Sequence, residues 1–331
     1  MAAVGGAEAA GHGGARGTAG TWGAAGAFAA VAFVAAGVLG AVQPGTGVPT
    51  EVVQLTQFGP ALGVGAVALY RWRRTRELLR GGGARGTRRV AAVLGSAVLI
   101  VTLTVLGYGL TTGGAGFTSP GALHHPFALI AAAQLVGACG EEIGWRCFLQ
   151  PLLRTRLGAV ASSVVVGVVW GAWHVPVFAQ APAYAAGFLL ATVAMSVVLG
   201  LALDGTGGPY RLLLAGGFHT LVNLGLLLFM DEESGAVLPM VCFGLSCLAV
   251  ALVRAGRRRT PASAEARTEA RTEARTEVQA KARAEVPAEV PAPAFTPAPT
   301  PTPAFTPAPT PTPVPTLAST PEHAPTTLPR T

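Results

Sequence analysis

The sequence predicts an all-α, polytopic membrane protein of about eight transmembrane helices, followed by a disordered Pro-rich C-terminal tail. Three observations predict it. Only 12% of the 331 residues are charged, against about 25% in soluble domains, and 51% are apolar with a mean hydropathy of +0.50. Apolar runs close to the ~20 residues that cross a hydrocarbon core recur along the chain as far as residue 254. Arginine is concentrated in every second connection between those runs.

The runs fall at 22–42, 53–70, 90–111, 126–150, 159–179, 183–203, 211–230 and 235–254. The first follows a Gly/Ala-rich stretch, residues 1–20, read as flexible, in which Arg16 is the sole basic residue. That is a poor n-region for a cleaved signal, and the apolar run is long for an h-region, so a retained first helix is expected. The second run carries Gln54, Gln57 and Pro60 and is the least hydrophobic of the eight. Eight arginines crowd residues 71–89; Arg146, Arg154 and Arg156 mark the next basic connection, then Arg211, then Arg254 and Arg257 to Arg259. The intervening connections near 43–52, 112–125, 180–182 and 231–234 have no Lys or Arg. The positive-inside rule then puts both termini in the cytoplasm of what reads as a bacterial plasma membrane protein, the Arg, Ala and Gly bias suggesting a GC-rich genome. The net charge of +7 is thus a topology signal rather than a nucleic-acid footprint, and the bilayer is the expected partner.

Residues 21–254 form the membrane domain. Residues 255–331 change character: "EARTEARTEARTE" repeats every four residues from Glu265, and "AFTPAPTPTP" occurs twice from Ala294. The first repeat stacks like charges, which oppose a helix; the second favours extended polyproline II and buries no core. No partner for this tail is legible. Cys139, Cys147, Cys242 and Cys247 lie in or beside apolar runs without a C-x-x-C spacing, as small hydrophobic residues do.

Few polar groups survive inside the runs, and such groups at membrane depth usually face a cavity or a partner. Glu141 and Glu142 sit late in the fourth, His174 late in the fifth, His219 and Asn223 in the seventh. Glu142 and Arg146 are four apart and can pair on one helix face; Glu141 is turned ~100° away and stays free. Trp170 shares a face with His174, and His219 with Asn223. A carboxylate, an imidazole, and an imidazole with an amide can activate water and stabilise an oxyanion. Glu141, His174 and His219 can equally hold a divalent metal such as zinc. One distance resists this grouping. Glu141 lies ~22 Å below Pro126, so about 8 Å from the far boundary of a ~30 Å core, whereas His174 comes out ~22 Å from that same boundary.

In order and spacing, Glu141-Glu142-x-x-x-Arg146, Trp170-x-x-x-His174 and His219-x-x-x-Asn223 resemble the CPBP family of CAAX-processing and bacteriocin-processing intramembrane proteases, also called Abi proteins. The similarity covers about residues 50 to 250, and the one departure is Trp170 where the pattern usually has Phe. The resemblance implies an endopeptidase acting on a membrane-embedded or lipidated protein or peptide. Glu141 would be the general base, assisted by His174; His219 and Asn223 would stabilise the oxyanion; Glu142 with Arg146 would hold Glu141 in place. Family members are commonly called metalloproteases, and the absence of H-E-x-x-H leaves the metal open. Two rivals use the same residues. A proton- or ion-coupled transporter would relay through them, though no half-to-half repeat is found; a non-catalytic immunity or scaffold protein would use them only to join helices.

Overall fold

The computed structural model describes residues 5–83, 86–230, 235–258, 272–273, 275–277 and 279. Contacts divide the chain into residues 1–272 and residues 273–331. Described residues contain helices and turns and no strand: α1 (Gly5–Thr46), α2 (Gly59–Arg80), α3 (Thr87–Thr112), α4 (Phe127–Glu142), α5 (Gln150–Arg154), α6 (Ala159–Trp173), α7 (Pro182–Ala202), α8 (Gly208–Phe229) and α9 (Val237–Arg257). The all-α polytopic architecture is the one the sequence predicts. Most of the tail lies outside the described residues. In the charged repeat, residues 272–273, 275–277 and 279 are helical, contrary to the expectation from like-charge stacking. Ala, Glu and Arg are strong helix formers, and a like-charge pair costs only ~0.2–0.5 kcal/mol.

Among the described residues, six helical segments are long and apolar enough to cross a membrane: Gly20–Thr46, Thr87–Thr112, Phe127–Arg154, Pro182–Ala202, Gly208–Phe229 and Val237–Arg257. Two of the eight expected spans depart from that length. In the second, a 3₁₀ turn (Leu55–Phe58) precedes α2, and α2 breaks at Arg71 (φ −132°, ψ 38°), where the apolar run gives way to arginine. In the fifth, α6 has 15 residues and stops at His174 (φ −79°, ψ 62°), before a 3₁₀ turn, Val175–Ala179. Pro176 explains the stop: it lacks an N–H and disfavours the α conformation at Val175.

The fourth span continues past its expected end. Between α4 and α5 lies a π-helical stretch, Ile143–Leu149, in which the Gln150 N–H reaches back to Trp145 O. Pro151 follows directly, and the wider register accommodates a residue that cannot donate. This length also reconciles the two depths. Counted back from Arg154, where the chain turns into α6, Glu141 is ~20 Å deep, and His174 is ~22 Å down α6 from the same turn. A ~30 Å core counted from Pro126 ends near residue 146; the helix goes on to Arg154, about two further turns.

Packing centres on α7, which contacts α6 and α9; α1 packs on α2, α4 on α8, and α3 on α8 and α9. Small residues allow the α6–α7 approach, as is usual where helices meet in lipid. A Cβ on Gly167 would lie 2.6 Å from Val193 Cα and 2.8 Å from Ser196 Cβ. Gly167→Val is therefore expected to cost ~1–3 kcal/mol through overpacking, measured as a lower thermal midpoint of the purified protein. Aromatic contacts brace the π-helical stretch: Trp145 stands edge-on to Phe28 at 5.4 Å and to Trp173 at 5.9 Å.

Candidate active site

The π-helical stretch and the early end of α6 bring three helices to one place. Glu141, Trp170, His174, His219 and Asn223 all line a single cavity of about 360 Å³. Glu142 and Arg146 lie behind its wall. Arg146 also lines a second cavity, near Arg154, Asp204 and Arg211 at the opposite end of the bundle.

Each polar group in the first cavity has a defined anchor. Trp170 Nε1 donates to Glu141 Oε2 at 2.9 Å, with Glu141 only 2% exposed. The anchor is specific to tryptophan: the Phe usual at this place in the resembling pattern has no N–H to offer. The Trp170 ring also stands edge-on to His219 at 5.3 Å, with the Arg146 guanidinium 5.1 Å from its centroid. His174 Nδ1 lies 2.9 Å from Trp170 O. A carbonyl only accepts, so Nδ1 carries the hydrogen and Nε2 keeps the lone pair of the neutral ring. Trp173 and Phe188 clamp that ring, each at 4.8 Å. His219 Nδ1 lies 3.1 Å from Glu142 Oε1, which leaves its Nε2 uncommitted. Asn223 Nδ2 donates to Gln134 Oε1 at 3.2 Å.

Behind these groups, Arg146 Nε meets Glu142 Oε2 at 3.1 Å, both side chains essentially inaccessible. The contact is an ion pair without hydrogen-bond alignment, since both atoms lack a hydrogen-bond partner. Arg146 Nη1 donates to Ser196 Oγ at 2.7 Å, and Ser196 Oγ donates to Ser163 O at 2.6 Å. Gln150 Nε2 donates to Ser163 Oγ at 2.8 Å. A buried charge is tolerated when it is paired and hydrogen-bonded, and α7 and α6 supply the acceptors.

Among the described residues, no three His, Cys, Asp or Glu side chains are gathered closely enough to hold a metal ion. Glu141, His174 and His219 share the cavity, yet each already commits one donor atom to the protein: Oε2 to Trp170, Nδ1 to Trp170 O, and Nδ1 to Glu142. The atoms left over, Glu141 Oε1 and Nε2 of both imidazoles, are the ones that would hold a divalent metal, since a ligating histidine ordinarily donates its other N–H to the protein.

Several contributors escape a reading of motifs. Gln134 is two helical turns before Glu141 on the same face, a signal available from spacing. Ser163 and Ser196 give none, because small hydroxyl residues are ordinary in membrane helices. Glu51 and His125 lie in separate connections and meet at 2.6 Å, while Glu51 Oε1 accepts from the His124 N–H at 3.1 Å. This contact joins the α1–α2 and α3–α4 connections beside the cavity, whose lining includes Glu51 and His124. The hydrogen bond from His125 holds the Glu51 carboxyl below the usual carboxylate range. A depressed carboxyl contributes where it is ionised and loses that contribution as pH falls through its folded value. The contact should therefore loosen in acid, and Glu51→Gln should loosen it at neutral pH. Faster limited proteolysis between residues 47 and 58 is the measurement.

The family model described as "Rce1-like: Type II CAAX prenyl endopeptidase Rce1-like" matches residues 123–225. Lysostaphin resistance protein A of Staphylococcus epidermidis is 29% identical over 105 residues, 32% of this chain and 27% of that one. Lysostaphin resistance protein A of Staphylococcus aureus is 27% identical over 131 residues, 38% of this chain and 30% of that one. The chain thus spans under a third of the length of these relatives. All three polar motifs, from Glu141 to Asn223, fall inside the matched segment, and over that segment this integral membrane protein is similar to the type II CAAX prenyl endopeptidase family.

Proposed function

We propose that the chain is an intramembrane endopeptidase in which Glu141 activates water for attack on a peptide carbonyl. One observation carries the reading: a carboxylate and two imidazoles from three helices converge on one cavity, each held by one atom and each with another atom left over. Trp170 occupies Glu141 Oε2, so Oε1 is the oxygen that takes the water proton. The neutral His174 ring offers Nε2 as a second acceptor to orient that water. His219 Nε2 and the Asn223 amide face the same space and can donate to the developing oxyanion, Asn223 through the N–H that Gln134 does not use. Glu142 accepts from His219 Nδ1, so the ring donates through Nε2 only when it carries its second proton. Arg146 holds Glu142 in place.

The experiment compares peptide termini in the membrane proteome of cells carrying the wild-type chain or Glu141→Gln at matched expression. Termini present only with wild type support the reading and name the substrate; identical termini with both proteins stably inserted overturn it. Chelator treatment of the same cleavage addresses the divalent metal, zinc included. A second reading, a membrane resistance factor that works without cleavage, is favoured by the name of the staphylococcal relatives. It expects Glu141→Gln to keep the host phenotype, which a protease would lose.

A further inference from the structure

Away from the catalytic cavity, α3 and α9 enclose a groove of about 490 Å³, with Leu201 at the end of α7 in its floor. On α3 its lining runs from Ala91 to Leu103. At 1.5 Å per residue that is ~18 Å, a little more than one leaflet of a ~30 Å core. The walls are apolar, with Leu99 and Leu103 facing Val250 and Val253. A second cavity of about 410 Å³ adjoins one end of the groove. The two share Ala92, Leu201 and Arg254, and the second adds Arg88 and Arg89. The slot is therefore continuous, apolar along its length and basic at one end.

The charge at that end is not balanced locally. Arg254 and Arg257 close the last turn of α9, and Arg88 and Arg89 stand in the first turn of α3, which has no acid. Among the described residues, no Asp or Glu lines either cavity. Arg254 is half-buried and reaches across to α3, where its Nε donates to Ser96 Oγ at 3.2 Å and its Nη2 to Ala92 O. Both acceptors are neutral, and its charged neighbours are Arg257 and Arg258. Arg258 is drawn to Asp204 at 3.0 Å, a carboxylate that it shares with Arg154. The start of a helix favours anions and disfavours cations, so Arg88 and Arg89 stand where a negative group is wanted. A phosphate at the junction would meet the start of α3 and the guanidinium groups together, and guanidinium suits phosphate geometry.

We infer that the α3–α9 groove binds an anionic phospholipid, its phosphate held among Arg88, Arg254 and Arg257 and one acyl chain laid along the groove past Gly95. A zwitterionic headgroup brings its own cation to the arginines and fits less well. The inference goes beyond the catalytic reading and does not depend on it. The test uses the purified full-length chain in a non-ionic maltoside detergent, with native mass spectrometry measuring retention of added phosphatidylglycerol or phosphatidylcholine. Phosphatidylglycerol should be held the more tightly. Arg88→Gln and Arg257→Gln, both at exposed positions, should each weaken it about fivefold, the scale of one arginine beside a charged lipid. Gly95→Leu changes no charge. A Cβ there meets nothing within 4 Å, so the new side chain fills the groove without disturbing the helices. It should weaken phosphatidylglycerol about fivefold, the scale of several lost van der Waals contacts. An excess of inorganic phosphate should leave the lipid bound. Equal retention of the two lipids, or a phosphatidylglycerol preference that survives both arginine substitutions, overturns the inference. Displacement by inorganic phosphate with no effect of Gly95→Leu overturns it too, since the ligand is then a free anion.

Discussion

Glu141→Gln is expected to lower cleavage by about 10²–10⁴-fold, the contribution of a positioned general base, while leaving the fold intact. The second half of that statement follows from the anchor. Trp170 Nε1 donates to one oxygen of Glu141, and a glutamine carbonyl accepts the same bond. Glu141 also makes no ion pair with Arg146, which is committed to Glu142, so no buried charge loses its partner. The measurement is the rate of product formation beside the thermal midpoint of the same preparation. A rate within tenfold of wild type would remove Glu141 from the chemistry. An equal loss of rate and midpoint would make it structural.

A companion substitution divides the labour differently. Trp170→Phe keeps an aromatic ring against His219 and removes only the N–H, giving this chain the residue more usual at that place in the pattern. Glu141 is then released from its anchor rather than removed. About a tenfold loss in kcat with little change in KM is expected, the scale of one hydrogen bond to a charged group. If kcat is unchanged, the indole N–H is packing and not positioning.

The contrast between Glu141 and Glu142 is half visible in the sequence. Helical spacing alone pairs Glu142 with Arg146 and turns Glu141 away, because i, i+4 geometry is local. The same local rule puts Trp170 with His174 and His219 with Asn223. Spacing does not show that Glu142 also reaches His219, 77 positions away, or that Arg146 leans on Ser196 of α7. Those partners are set by how helices pack, and small residues such as Gly167 decide that without a distinctive pattern. Depth misleads for a related reason. The apolar run read from the sequence ends at residue 150 and a ~30 Å core counted from Pro126 ends near 146, yet Arg146 is a buried charge, and the helix runs through it to Arg154. The short α6 is legible in principle from Pro176, whereas the length counted for the fifth span runs past it.

Arg146→Met is expected to destabilise the protein by about 3–5 kcal/mol, the cost of stranding one member of a buried ion pair. Glu142 is fully buried, and without Arg146 its remaining polar contact of any strength is His219. Ser196 and Gln150 lose a donor as well. Glu142→Leu should cost a comparable amount, because it strands the guanidinium between Trp170 and the second cavity. The double variant, Glu142→Leu with Arg146→Met, removes both charges and refills their volume, so it should be more stable than either single variant. It should nevertheless cleave poorly, since His219 loses the carboxylate that orients its Nδ1. Thermal midpoints and cleavage rates of the four proteins form the cycle. Additive losses would mean that the 3.1 Å contact carries no coupling. Recovery of stability without recovery of activity would show that this buried pair is kept for the orientation of His219 and not for the fold.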